Sequence, residues 1–385
     1  MGSLSKIEKK GMEAERPSPR RSTTATSAPA TAAAMIAYNE DLLTEILILL
    51  PAKILLRFKS VSKLWLSLSR SLISSPSFCH LHTLRHQPEP SFLLRVAPSE
   101  YFYFSPTSKS FFPFHFNSTE TTILQSCHGL LLLECSNPNK NYHVYNPTTR
   151  QSRNLLIENE FLFGLRLAYD PLESLHYKVV CVRTKRDSIH LCEIQVYDSQ
   201  IHKWKRFEVS YDASLLKQFN DGVYWKNCIY WFTTSDQLVC LDVEAGFRSS
   251  HPVLRLLTIV GLRATGKRLF KTSGHVHFVD YMMNSLMVYE GIEQYCGGLV
   301  KYSVNCDQIT ASFPDRISII GIVRGEDEEK WRLVFHVPGK IVAYGFDDGS
   351  LEELIDFRMQ KFYREGKHQF VRHDAFQFIE SLDPV

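Results

Sequence analysis

Beyond Pro88 and Pro90 the chain carries a recurrence that limits its fold more than any other feature. Short apolar runs close on Tyr or Leu and pass into a polar turn, as in Tyr145-Asn146-Pro147, Tyr197-Asp198, Leu241-Asp242, Tyr289-Glu290 and Tyr344-Gly345-Phe346-Asp347. The lead residues lie 52, 44, 48 and 55 positions apart, near the ~40–50 residues of a blade-like β repeat. Nearly 300 residues at that period predict about six blades. Several runs are apolar at odd and even positions alike. Leu238-Val239-Cys240-Leu241 is one, and such a strand must be covered on both sides. Gly222–Phe232 reads as one further run, and Phe376-Gln377-Phe378-Ile379 is placed to close a ring onto the first blade. Two β-sandwiches in tandem are the alternative arrangement.

Ahead of Pro88 the texture is helical. Asn39 reads as an N-cap, with Glu40 and Asp41 in the first turn where the helix dipole favours acids. Leu42, Leu43, Ile46, Leu47, Leu49 and Leu50 follow on a broad stripe at helical spacing. Pro51 ends that helix and opens a second from about Ala52, with Ile54, Leu55, Phe58 and Val61 inward. A third carries Val61, Leu64, Trp65, Leu68 and Leu72. Ser75-Pro76 ends it, and Phe78, Leu81 and Leu84 predict one more short turn of helix. About 46 residues bury too little surface to stand alone, so the leucine-rich faces need a partner. Ser22–Ala34 contains only Ser, Thr, Ala and Pro and offers nothing to bury. The expected organisation is a two-domain α+β chain: a disordered tail over 1–36, a small all-α module over 37–86, and an all-β, propeller-like domain over 88–385.

Charge and chemistry narrow the function. The net charge is +3, and the six basic and three acidic residues of the tail account for all of it. The neutral remainder has no electrostatic footprint for nucleic acid. The richest apolar stretch, Leu42–Leu56, is broken by Glu45, Pro51 and Lys53, whereas a membrane span needs roughly 20 mostly apolar residues. The nine cysteines include no C-x-x-C pair and read as buried free thiols in a reducing compartment. With no secretory apolar segment at the start, nucleus or cytoplasm is expected. No G-x-S-x-G, Gly-rich phosphate loop or H-E-x-x-H occurs. His275 and His277 share a strand face but lack a third metal ligand at a convincing spacing. His82 and His86 read as surface polar residues. Cys127 and His128, placed on a strand, point to opposite faces. Asp347-Asp348-Gly349 reads as a hairpin turn. No catalytic residue, metal or cofactor is expected. The acidic cluster Glu326, Asp327, Glu328 and Glu329 reads as a solvated loop and is the candidate for contact with a basic partner.

Two ordered sets of motifs carry a resemblance. Asp41–Leu47, Leu50–Lys53, Leu56–Trp65 and Ser74–Phe78 together resemble an F-box, with Tyr38-Asn39 standing where that family usually has Leu-Pro. Ser126–Leu132, Val144–Arg150, Leu167–Pro171, Tyr177–Val180, Gly222–Trp225 and Ile229–Trp231 resemble the F-box-associated, kelch-like domain of large plant F-box families. The paired glycines of ordinary kelch repeats are missing. The resemblance implies a substrate-recognition subunit of a Skp–cullin–F-box ubiquitin ligase. Its partners would be a Skp-type adaptor, through it a cullin, and an unknown protein target. Leu42, Leu43, Ile46, Leu47, Leu50, Pro51, Leu55, Val61, Lys63 and Trp65 would then be divided between internal packing and adaptor contact. The alternative is a propeller that binds a small ligand or sugar, or an enzyme, with an appended helical segment.

Overall fold

The computed structural model describes residues 39–385 apart from 62, 87–89, 117–119, 137–138, 158–161, 186–187, 217, 236, 246–252, 258–267, 273, 283–284, 291–298, 314–316, 325–329 and 358–374. Residues 46–385 form one compact unit, and residues 1–45 group separately.

Helix α1 spans Glu40–Leu47, and Asn39 caps it by accepting the Leu42 N–H at 3.1 Å. Pro51 precedes α2, Ala52–Arg57. Helix α3 is Lys63–Ile73 and α4 is Pro76–Arg85, opened by Ser75, whose Oγ accepts the Phe78 N–H at 3.4 Å. The predicted short turn is thus a full helix. The inward set of α2 needs correction. Leu55 is buried, but Ile54 and Val61 are exposed. Helix α2 ends at Arg57 and tightens into a 3-10 turn over Phe58–Ser60, so a 3.6-residue period cannot be carried through to Val61.

His82 and His86 are not surface residues of no consequence. His82 is 2% exposed. Its Nε2 lies 2.8 Å from the Leu50 carbonyl, and His86 Nε2 lies 2.9 Å from that of Ile48, with the two rings 4.4 Å apart. The break at Pro51 strands these carbonyls, and each neutral imidazole can turn an N–H toward one. Burial pushes the His82 pKa down, consistent with an uncharged donor.

The β region is a ring of six four-stranded antiparallel sheets. Blade one holds β1 (Ser91–Ala97), β2 (Glu100–Ser105) and β3 (Ser110–Phe114). Blade two holds β4 (Thr121–Cys127), β5 (Leu130–Cys135), β6 (Asn141–Asn146) and β7 (Gln151–Leu155). Blade three holds β8 (Leu162–Ala168), β9 (Lys178–Lys185), β10 (Ser188–Asp198) and β11 (Lys203–Asp212). Blade four holds β12 (Val223–Trp225), β13 (Cys228–Phe232), β14 (Leu238–Asp242) and β15 (Val253–Leu257). Blade five holds β16 (Arg268–Thr272), β17 (His275–Met282), β18 (Ser285–Glu290) and β19 (Leu299–Asn305). Blade six holds β20 (Ser318–Arg324), β21 (Trp331–Val337), β22 (Lys340–Gly345) and β23 (Leu351–Asp356). The last strand, β24 (Ala375–Phe378), pairs with β1 and completes blade one, so the predicted closure is found and tandem sandwiches are not.

Strand patterning explains the ring. In β5, Leu130 and Leu132 face the core shared with blade three, while Leu131 and Leu133 face that shared with blade one. In β13 and β14 the alternate sets face blades three and five. Both faces are apolar because each blade has a neighbour on each side. The recurrence has an equally local cause. Tyr145, Tyr197, Leu241, Tyr289 and Tyr344 are each the penultimate residue of a blade's third strand. The residue that follows folds the turn: Asn146 Oδ1 accepts from Thr148 and Thr149, Asp198 Oδ1 from Gln200, and Asp242 Oδ1 from Glu244 and Ala245. In blade six Asp348 takes that part, accepting the Ser350 N–H at 2.9 Å, in the predicted hairpin turn. The run Gly222–Phe232 is two strands, parted at Lys226 and Asn227, both at positive φ in a tight turn.

Candidate functional site

The helical segment is the first place where surface chemistry gathers. Leu43 is buried in α1. Leu47 and Leu55 are wholly buried, and Leu50 and Trp65 are half-buried, with Trp65 stacked on Phe58 at 4.9 Å. Leu42, Ile46, Pro51, Val61 and Lys63 are exposed. Leu49 and Ile54, which the sequence placed on inner stripes, are exposed as well, Leu49 at 60%. Exposed apolar residues of this kind are surface that a short helical segment does not cover with its own core.

The segment is fastened to the ring by the last residues of the sequence. Lys53 pairs with Glu380, and its ammonium lies 5.3 Å from the Tyr103 ring centroid. Thr83 Oγ1 donates to Asp383 Oδ1 at 3.4 Å. Asn146 Nδ2 donates to the carbonyls of Ser381 and Asp383, and Gly129, at φ +84°, leaves room for Ile379 and Ser381. Asp383 is almost fully buried, which pushes its pKa up to about 6.

The second place is the channel down the ring. The inner strands β24, β4, β8, β12, β16 and β20 enclose a cavity of about 410 Å³. Polar side chains on these strands bond across the blade boundaries. Gln125 on β4 exchanges two hydrogen bonds with the Leu167 backbone of β8, at 2.6 and 3.0 Å. Arg166 on β8 donates to the Leu124 and Gly222 carbonyls on either side. From β16, Thr272 donates to the Ile322 carbonyl at 3.1 Å, and Arg268 donates to that of Ile319. At one mouth Lys271 of blade five reaches Asp170, in the loop after β8 of blade three, at 2.6 Å. Burial works against the charged carboxyl of Asp170, yet His128 and Lys271 hold it below the usual range. Burial and the Lys271 charge push His128 down to about 4, so its imidazole is neutral at neutral pH.

His128 is not on a strand face. It sits at φ 46° in the tight turn between β4 and β5 with Gly129, and its Nε2 is 3.7 Å from Asp170. Cys127 instead donates to the Tyr169 carbonyl at 3.0 Å, and burial pushes its thiol up to about 11, far from a thiolate nucleophile. His275 and His277 lie 3.6 and 3.9 Å from Glu290, and among the described residues no three His, Cys, Asp or Glu side chains gather as metal ligands. Eight cysteines are described and all are free, six of them buried. Among the described residues no helix is long and apolar enough to cross a membrane. The acidic cluster Glu326–Glu329 lies outside the described residues. Arg166, Lys271 and Asp170 carried no sequence signal of their own. Asp170 was visible only as part of the Tyr169-Asp170-Pro171 motif.

Comparison with known proteins agrees with this architecture. Residues 98–249, from blade one into blade four, match the family described as F-box associated beta propeller domain. An Arabidopsis thaliana protein named F-box protein At5g07610 is 30% identical over 403 aligned positions, covering 92% of this chain and 94% of that one. The chain belongs to the plant F-box proteins. A second Arabidopsis thaliana relative, F-box/kelch-repeat protein At5g43190, is 30% identical across 59% of this chain and 57% of its own length. A third, Putative F-box protein At5g50220, is 29% identical across 53% of each. In this F-box protein the match to the F-box-associated propeller family therefore falls on blades one to four of the ring.

Proposed function

We propose that this F-box protein is a non-catalytic receptor of a Skp–cullin–F-box ubiquitin ligase, working in the nucleus or cytoplasm. Its helices bind a Skp-type adaptor, and through it a cullin, while the propeller holds a target protein. The observation that carries this reading is the exposed set Ile46, Leu49, Ile54 and Val61 on the F-box segment of a family member. Such a receptor performs no bond chemistry. It raises the effective concentration of target lysines near a charged conjugating enzyme. The target binds through loops at a ring mouth, since the strands are covered by neighbouring blades. The acidic cluster Glu326, Asp327, Glu328 and Glu329 is the contact for a basic target in this proposal. Reversing its charge weakens capture of a basic target and spares the adaptor.

The test is co-purification of the full-length chain with a Skp-type adaptor. Ile46→Asp combined with Val61→Asp should lower capture at least about tenfold, with the unfolding midpoint near that of the parent. Capture at the parent level would overturn the adaptor assignment.

A further inference from the structure

The interior of the ring is chemically unlike the rest of the chain. Residues 37–385 carry no net charge, yet the channel wall presents Arg95, Arg166, Arg268 and Lys271 against Asp221. Asp170 answers Lys271 at one mouth. The other three cations come from β1, β8 and β16, in blades one, three and five.

Arg166 is the most confined of them, at 7% exposed. Its terminal nitrogens donate to Leu124 O at 3.3 Å and Gly222 O at 2.7 Å, but its Nε has no hydrogen-bond partner among the described residues. Ser126, two positions beyond Leu124 on β4, lines the same channel, and its buried Oγ also lacks a partner. Both groups are hydrogen-bond donors. Buried polar atoms left unmatched are rare and call for a cause. Burial pulls the Arg166 guanidinium down to about 10, with the Asp221 carboxylate offsetting only part of that cost.

We propose that the channel is a binding site for a small oxyanion, a molecule bearing phosphate or carboxylate groups, held by Arg166 and Ser126 with Arg268 across the cavity. The fork of a guanidinium matches both kinds of group. The cavity of about 410 Å³ falls within the size of small-molecule pockets. Burial of the Arg166 side chain strengthens the attraction relative to bulk water. An anion bound there bridges blades two, three and five and stabilises the ring by mass action.

The experiment is thermal unfolding of the full-length chain at constant ionic strength, titrated with pyrophosphate in one arm, citrate in another and sodium chloride as control. The midpoint should rise saturably with pyrophosphate, with citrate or with both, and the responding arm names the preferred group. Chloride should not raise it. Ser126→Asp places a carboxylate on the wall, so this variant should fold and lose the oxyanion response by about tenfold or more in apparent affinity. Arg166→Gln should lose it too, from a lower starting midpoint because two strand-bridging bonds go. Neither probe giving a saturable rise up to about 10 mM overturns the proposal. So does a rise undiminished in Ser126→Asp, which would place the anion elsewhere.

Discussion

The helices α2–α4 and the ring use apolar residues in opposite ways. In the ring each blade turns both faces to a neighbour, and adjacent blades share a core all the way round. Polar side chains gather at the centre among apolar ones: Arg166, Gln125, Thr272 and the Lys271–Asp170 pair. The helices bury Leu55, Leu68 and Phe78 but do not close their core. His82 is buried while Ile54, Val61, Leu81 and Leu84 face solvent. A closed repeat completes its own core, whereas a short helical segment has more apolar surface than it can cover. Substitution in the ring should therefore act on its fold, and on the exposed face of the helices it should act on the proposed adaptor contact.

Trp231 gives the largest expected contrast. It is fully buried between blades, and its Nε1 donates to the Leu215 carbonyl at 2.7 Å. Trp231→Ala should cost about 3–5 kcal/mol of stability. Val61→Asp, at an exposed site, should change stability by no more than about 0.5 kcal/mol while reducing adaptor capture. Denaturant unfolding of the two variants checks this. Equal losses of stability would erase the distinction between the regions.

Gly129→Ala sharpens the comparison at the point where the regions meet. The left-handed backbone alone costs a side chain about 1–2 kcal/mol. The new Cβ would also stand 2.5 Å from the Ile379 carbonyl, a backbone atom that cannot swing aside. Faster amide exchange should appear in the last seven residues and at Thr83 before it appears in the blades. Exchange unchanged at Thr83 would mean that the C-terminal segment does not hold α4.

His82→Ala acts within the helices alone. Losing the ring that reaches the Leu50 carbonyl should cost on the order of 1–2 kcal/mol. It should loosen the turn before Pro51 and lower adaptor capture, with the propeller unchanged by near-ultraviolet circular dichroism. A loss of propeller signal would show that the helices support the ring.

The blade count was legible because a backbone requirement recurs. A third strand must end, and Asn146, Asp198 and Asp242 each fold the following turn with a side-chain oxygen. Blade one lacks a lead residue of this kind because its third strand, β2, ends on Phe104-Ser105 rather than on Tyr or Leu. The N-cap at Asn39 and the stop at Pro51 were equally local. The inward set of α2 was not, because the 3-10 turn at Phe58 shifts the phase without a residue that announces it. Nor was the channel. Asp170 and Lys271 are 101 positions apart and meet only after the ring closes. Arg166 and Gln125 look like ordinary strand polars until neighbouring blades offer them carbonyls. The roles of His82 and His86 likewise depend on carbonyls 32 and 38 positions away.

Asp383 offers the finest test of how helices and ring are joined. Burial raises its carboxyl from an ordinary 3.8 to about 6. The unfolded chain therefore releases this proton before the folded chain does. The contribution of Asp383 to stability is fully present below about pH 4 and is lost as the pH rises to about 6 and beyond. His128 and His277 act in the other sense. Burial lowers each to about 4, so their contribution is present above about pH 6.5 and lost as the pH falls. In the parent chain the opposing slopes partly cancel between pH 4 and 6. Asp383→Asn removes the falling limb only. A shift of about two pKa units sets a ceiling near 3 kcal/mol, and the buried amide's own desolvation takes part of it away. The expected gain is on the order of 1 kcal/mol above pH 6, with no gain below pH 4 and a steeper rise between them. Unfolding midpoints of both chains across that range decide the matter. A difference that does not vary with pH would mean that Asp383 is ionised throughout, and that its bond from Thr83 joins α4 to a permanent charge.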